Sequence, residues 1–317
     1  MEKVNEKMKM TDGKEVAIHA WLPDAQPRYV VILCHGMNEF AQRYDDFGTF
    51  LTEKYVALYD YDQRGHGDTA GNSSNYGFLA EKDGFDRVVE DLHTVITNVA
   101  VRYPQAKLFL LGHSFGSFVS QAYMERFSKE DLIAGCLLSG TAGPALRTPF
   151  IKFALLIPLC IRMFKGARYR SKFMNDMVFG GYNSKFENSQ SKHAWLTRDA
   201  EMVKIYDADE RCTFTPTVSF FCDLLGALSQ IHKTQNMNLI PKELPVHLFF
   251  GSMDPVGDYG KMPHNLYSAY RSLGMKHVSK KEYEGGRHEM LNEINKEVVK
   301  ADLLSIMERW NGGILTD

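Results

Sequence analysis

The chain has 317 residues, long for one plain domain and short for two large ones, and its 44% hydrophobic content is enough to bury a sizeable core. A formal net charge of −2 supplies no basic field for nucleic acid and no acidic tail for a cationic partner. Five cysteines (Cys34, Cys136, Cys160, Cys212 and Cys222), odd in number and without a Cys-x-x-Cys spacing, read as reduced, mainly buried thiols of a cytoplasmic protein.

The first seven residues are polar and charged and contain no apolar signal core. Short apolar runs predict strands at 16–21, 30–34, 56–61, 108–111, 135–139, 246–250 and 278–283. A helix is predicted over 84–103, where Phe85, Val88, Val89, Leu92, Val95, Ile96 and Val99 share one face. Asp83 is placed to cap this helix and Pro104 to end it. A second helix is predicted over 263–273, with Gly274 as its stop. A last one covers 296–310 and is expected to bury Val298, Leu303, Leu304, Ile306, Met307 and Trp310. Alternating strands and helices predict an α/β fold with a mostly parallel sheet covered on both faces. Right-handed crossovers then gather the strand-following loops at the carboxyl edge of the sheet.

The alternation breaks between 141 and about 240, a stretch rich in Phe, Met, Leu, Lys and Arg. It reads as a helical insertion, a cap (lid) spanning 141–240, between core segments 1–140 and 241–317. The longest apolar run, 153–161, is about half of what spans a bilayer, and Pro158 interrupts it. At most a transient, peripheral contact with a membrane surface through the cap is expected.

Gly112-His113-Ser114-Phe115-Gly116 follows a strand-like run and precedes a helical pattern through Phe118, Val119, Ala122, Tyr123 and Phe127. Strand, Gly-x-Ser-x-Gly, helix is the context in which a tight turn lifts a serine hydroxyl above the sheet edge. The same turn aims the N–H of Phe115 at an oxyanion forming beside the serine. A serine nucleophile needs a base, and the base an orienting carboxylate. His288 follows the last strand within Gly285-Gly286-Arg287-His288-Glu289; His277 is its rival, but it precedes its strand and belongs at the opposite edge. Asp254, in Gly251-Ser252-Met253-Asp254-Pro255, lies closer to its strand end than the second candidate, Asp258. His35-Gly36-Met37 follows the 30–34 strand and offers the backbone N–H of Met37 as the second oxyanion donor, with His35 bracing the loop. Arg64-Gly65-His66-Gly67 reads as a tight structural turn, since no carboxylate–histidine set at metal-ligand spacing accompanies it. No phosphate loop or dinucleotide fingerprint occurs.

With these motifs, and with Asn38-Glu39, Arg43-Tyr44 and Asp62-Gln63-Arg64-Gly65-His66-Gly67, the chain resembles the alpha/beta-hydrolase superfamily. More narrowly it is similar to the monoacylglycerol lipase and lysophospholipase group. The resemblance implies a Ser114, Asp254, His288 triad, oxyanion donors at Met37 and Phe115, and a cap that shapes an acyl pocket. It implies a serine carboxylester hydrolase for lipid-like monoesters that needs no cofactor and no metal. A short-chain carboxylesterase and a serine aminopeptidase of the same fold stand as alternatives, the latter needing lid carboxylates such as Asp207, Asp209 and Glu210. A non-catalytic binding protein is a further alternative. Phe150, Phe153, Leu156 and Met163 are expected to line the acyl pocket, with Lys165, Arg168 and Arg170 facing an anionic head group.

Overall fold

The computed structural model describes residues 1–144, 148–186 and 189–313, with backbone alone for 148–153. Eight strands form one sheet: β1 (Glu2–Lys9), β2 (Glu15–Leu22), β3 (Tyr29–Cys34), β4 (Val56–Tyr61), β5 (Lys107–His113), β6 (Gly135–Ser139), β7 (Val246–Gly251) and β8 (Val278–Tyr283). Their order is β1-β2-β4-β3-β5-β6-β7-β8. From β4 to β8 every neighbouring pair is parallel. The β1–β2 hairpin joins β4 antiparallel. Strands β3, β4, β6 and β7 are buried along their whole length, as continuous Val, Leu, Phe and Tyr runs covered on both faces require.

The helices are α1 (Asp45–Thr52), α2 (Gly67–Ala70), α3 (Gly84–Arg102), α4 (Phe115–Phe127), α5 (Thr148–Lys165), α6 (Lys172–Phe179), α7 (Ala200–Ala208), α8 (Val218–Ile231), α9 (Thr234–Met237), α10 (Lys261–Ser272) and α11 (Lys296–Asn311). Residues of α3, α4, α8 and α10 share one core with one sheet face. Phe47 and Leu51 of α1 and the buried stripe of α11 share another core with the opposite face.

Three details depart from the sequence reading. Strand β1 has no counterpart there, because eight charge-rich residues carry only a thin alternation in which Val4 and Met8 touch the core. Its lysines suit an edge strand, where charge discourages pairing with another chain. Asp83 does precede α3, but at φ 53°; in that left-handed conformation its side chain makes no capping bond. In α11 the buried residue is Val299, while Val298 is 54% exposed. Positions 299, 303, 306, 307 and 310 make one helical face, and 298 falls off it.

Strands β6 and β7 are adjacent and parallel, yet about 100 residues separate them, and among the described residues these form α5 to α9 without a named strand. Helix α5 packs along α8, and α8 packs against α3 and α4, placing Phe220, Leu224, Ala227 and Ile231 in the main core. The insertion is therefore welded to the rest of the chain through α8.

Candidate active site

Strand β5 ends at His113, and Ser114 then stands at φ 51°, ψ −118° before α4 begins at Phe115. A non-glycine residue held so costs on the order of 1–3 kcal/mol, which the flanking structure must offset. The two glycines are sterically required. A Cβ on Gly116 would lie 1.9 Å from the carbonyl oxygen of Cys34, and one on Gly112 would lie 2.6 Å from that of Gly116. Phe115 is the first residue of α4, so its N–H has no acceptor within the helix. Ser117, where a further glycine would be unremarkable, donates its hydroxyl to Ser114 O at 2.6 Å and lies 2.8 Å from Thr141 Oγ1.

His288 and Asp254 are buried together, His288 Nδ1 lying 2.9 Å from Asp254 Oδ2. The other oxygen of Asp254 accepts the N–H of Val256 at 2.9 Å. Burial pulls the His288 imidazolium down, but the Asp254 charge and hydrogen bond, with Glu289 and Glu39 nearby, outweigh it and hold the group above its ordinary value. Gly140, at φ +52°, lies under the ring; a Cβ there would come within 2.9 Å of His288 Cε1 and Nδ1. Ser114 N–H donates to Ser139 O at 3.0 Å, so the serine turn and the loop under His288 are tied at the β6 end. Ser114, His288, Met37 and Phe115 all line one cavity of about 420 Å³. The rivals lie elsewhere: His277 sits beside exposed Glu243, and Asp258 is half exposed and paired with Lys261.

His35 braces its loop through both nitrogens. Nε2 accepts the N–H of Gln63 at 3.0 Å, which leaves the proton on Nδ1 to donate to Gly36 O at 2.7 Å. His66 is buried against His35 and Phe214, and burial pulls its basicity down to about 3. Arg64 pairs with Asp91 and Asp12. Cys34 is buried beside the Tyr61 hydroxyl, and burial pushes its thiol up, away from nucleophilic chemistry. Among the described residues His19, Asp62 and Asp68 bring possible ligand atoms within 4.8 Å of one another, but Asp62 already accepts the N–H groups of Ala41 and Asp68.

The family profile described as serine aminopeptidase, S33 (Hydrolase_4) matches residues 25–295. The chain belongs to this family. It is 25% identical over 289 residues to the monoglyceride lipase of Rattus norvegicus, covering 89% of this chain and 82% of that one. It is 26% identical to a monoacylglycerol lipase of Mycolicibacterium smegmatis, covering 92% of each. Among solved structures, a highly thermostable carboxyl esterase from Bacillus coagulans superposes with a TM-score of 0.86 at 25% identity, covering 99% of both chains. The sheet and helix arrangement is the alpha/beta-hydrolase fold.

The expected acyl-pocket residues of this hydrolase fare differently. Leu156 and Met163 do not line the cavity; they are 52% and 71% exposed, because α5 turns its other face to α8. The side chains of Phe150 and Phe153 lie outside the described residues. The apolar wall comes instead from Phe118, Phe179, Leu224, Leu228, Val256 and Met262. Arg168 stacks over Phe78 at 3.7 Å and Arg170 donates to Thr215 O and Ser73 O, so neither faces the cavity.

Two contact networks around the site join residues too far apart in the chain for local sequence reading to pair. Arg43 grips Glu289 through two bonds of 2.7 Å and Glu39 through one of 3.0 Å; Glu39 also takes the N–H of Gly36 and the Tyr44 hydroxyl. Burial pushes Glu39 up despite Arg43, whereas the bidentate arginine holds Glu289 down. The second network is a strap from the insertion. Trp195 O and Leu196 O accept the N–H groups of His288 and Glu289 at 3.4 and 2.7 Å. Arg287 Nη1 donates to Ala194 O and Thr197 O, and Arg198 pairs with Glu293. The Trp195 ring lies 5.1 Å from the His288 ring. About 90 residues separate these partners, so no spacing rule joins them.

Proposed function

We propose that this protein is a serine carboxylester hydrolase that cleaves lipid-like monoesters, monoacylglycerol or lysophospholipid, through an acyl-Ser114 intermediate. The observation that carries the reading is one cavity lined by Ser114, by His288, which is bonded to Asp254, and by both apolar and polar side chains. Apolar side chains take an acyl chain, and polar ones take the alcohol. The monoglyceride lipase relatives and the carboxyl esterase neighbour support it.

In this reading His288 removes the Ser114 proton as the hydroxyl attacks the ester carbonyl, and Asp254 stabilises the resulting imidazolium. The N–H groups of Met37 and Phe115 hold the oxyanion, each worth roughly 3–4 kcal/mol in the transition state. His288 then protonates the departing alcohol, and a water deprotonated by His288 releases the acid from Ser114.

The peptidase alternative, which the family's name suggests, needs lid carboxylates free to hold an ammonium. Asp209 is spent on Arg211 and Asp207 on His193. Segments 1–140 and 241–317 then serve as the core and 141–240 as the cap. No helix among the described residues is long and apolar enough to cross a membrane. Leu156, Leu159, Met163, Phe164 and Phe173 stand exposed on α5 and α6 among Arg162, Lys165 and Lys172, a face suited to transient membrane contact by a cytoplasmic enzyme.

The test is an acyl series of monoesters from acetyl to palmitoyl, with Ser114→Ala as the control. Turnover should rise beyond butyryl and fall to a residual level in the variant. A profile that is flat or falls beyond butyryl refutes the lipid substrate, and an active variant refutes the nucleophile.

A further inference from the structure

A second imidazole–carboxylate pair stands at the cavity, apart from His288 and Asp254. His193 lines the cavity wall and Asp207 does not. His193 Nδ1 lies 2.5 Å from Asp207 Oδ1, and the imidazole side chain is 17% exposed. Asp207 occupies Nδ1, so Nε2 is the ring nitrogen left for a ligand of the cavity. As imidazole, Nε2 accepts a hydrogen bond; as imidazolium, it donates one. A hydroxyl satisfies either state, because it both donates and accepts.

The position of the pair is what assigns it a partner. The His193 ring meets the Tyr206 ring edge-on at 4.9 Å. Tyr206 in turn carries the Arg43 guanidinium 4.9 Å from its ring centre, and Arg43 holds Glu289, the residue after His288. Two residues after His193, Trp195 lies against the His288 ring itself. His193 is therefore fixed on the side of the cavity that His288 occupies, where the departing alcohol collects its proton. The neighbouring Asn183 amide is already partly engaged within the insertion. Asn183 donates Nδ2 to Ser191 O at 3.1 Å and accepts the Trp195 N–H at 3.2 Å.

We propose that His193, oriented by Asp207, binds a hydroxyl of the leaving alcohol and so selects esters whose alcohol part carries a free hydroxyl, such as a glycerol monoester, over simple alkyl esters. The proposal rests on the ester-hydrolase reading above. His193 is a specificity residue here: it touches the alcohol, not the bond that breaks.

The experiment compares kcat/KM for 1-lauroylglycerol and methyl laurate, both below their aggregation limits, in wild type, His193→Ala and His193→Asn. Loss of one hydrogen bond to a substrate hydroxyl predicts a drop of about 5- to 30-fold for the glycerol ester with His193→Ala. Methyl laurate should change by no more than about twofold, since it has no hydroxyl to lose. His193→Asn, which keeps a donor and an acceptor, should recover part of the difference. The ratio of the two esters in one preparation does not depend on how much of it is folded. An unchanged ratio in His193→Ala, or an equal loss on both esters, overturns the proposal. A wild type that hydrolyses neither ester overturns the ester-hydrolase reading and the proposal together, and is distinguished by appearing before any substitution is made.

Discussion

Gly140→Ala tests whether the His288 ring must stand where it is found. The added Cβ would lie 2.9 Å from both Cε1 and Nδ1 of His288 and 3.0 Å from its carbonyl oxygen. Ordinary carbon contacts are about 3.5–4.0 Å, so the ring and its loop must retreat by roughly half an ångström or more. The loop has little room to do so, because Trp195 O and Leu196 O hold its backbone from the far side. A misplacement of about 1 Å at a reacting group costs on the order of 100-fold in rate, so a fall in kcat of roughly 10- to 100-fold is expected. Alanine at φ +52° adds about 1–2 kcal/mol of backbone strain, which lowers the melting temperature by only a few degrees. KM should change little, since the acyl wall is built from other elements. Steady-state kinetics on a soluble chromogenic ester, with a thermal melt on the same sample, separates the two effects. A variant with wild-type kcat and wild-type stability refutes the argument that close contact at Gly140 sets the imidazole position.

Three further outcomes follow from the charges and surfaces described. His288 acts as a base only when neutral, and its environment raises it above the ordinary 6.5, so kcat/KM should fall as pH drops through a midpoint above that value. Asp254→Asn removes the charge that opposes burial; the midpoint should move to lower pH and kcat should drop about 10⁴-fold, and a midpoint that stays put would assign the titration to another group. On the α5–α6 face, Phe164→Ser combined with Met163→Ser should weaken binding to anionic vesicles by roughly 10-fold or more while leaving turnover of a monomeric ester unchanged; vesicle sedimentation in which the variant binds like wild type removes that face from the membrane reading.

The centre of the sheet was legible because strands such as β3, β5 and β7 are built on apolar runs, a signal that owes little to context. The elbow was legible because its glycines are sterically forced: a Cβ on Gly116 would lie 1.9 Å from the carbonyl oxygen of Cys34. Chain order and strand-following loops were enough to pair His288 with Asp254, now found 2.9 Å apart, and to discard His277. Leu156 and Met163 were misplaced for a physical reason. In the insertion, Leu156 and Met163 belong to an amphipathic helix whose greasy outer face looks, in one dimension, the same as an inner one. Burial of Leu224 and Leu228 depends on how α8 lies across α3 and α4, and that is a tertiary fact. The Arg43–Glu289 pair and the Trp195 strap were invisible for a similar reason, since 246 residues separate the first two partners.

The strap changes what the insertion does. A roof that only covers a cavity would be joined to the core at its two ends and by packing. Here the segment 194–198 is bonded along its length to the loop that carries His288, by two backbone bonds, the Arg287 contacts and the Arg198–Glu293 pair. Any movement that lifts this stretch must release the donors of residues 288 and 289 and expose a buried imidazole to water. Opening of the cavity for a lipid should therefore occur at α6, away from the strap, where Phe179 lines the cavity and Phe173 and Met177 stand in solvent. Within the insertion, segment 194–198 is thus the part fixed to the loop that carries His288.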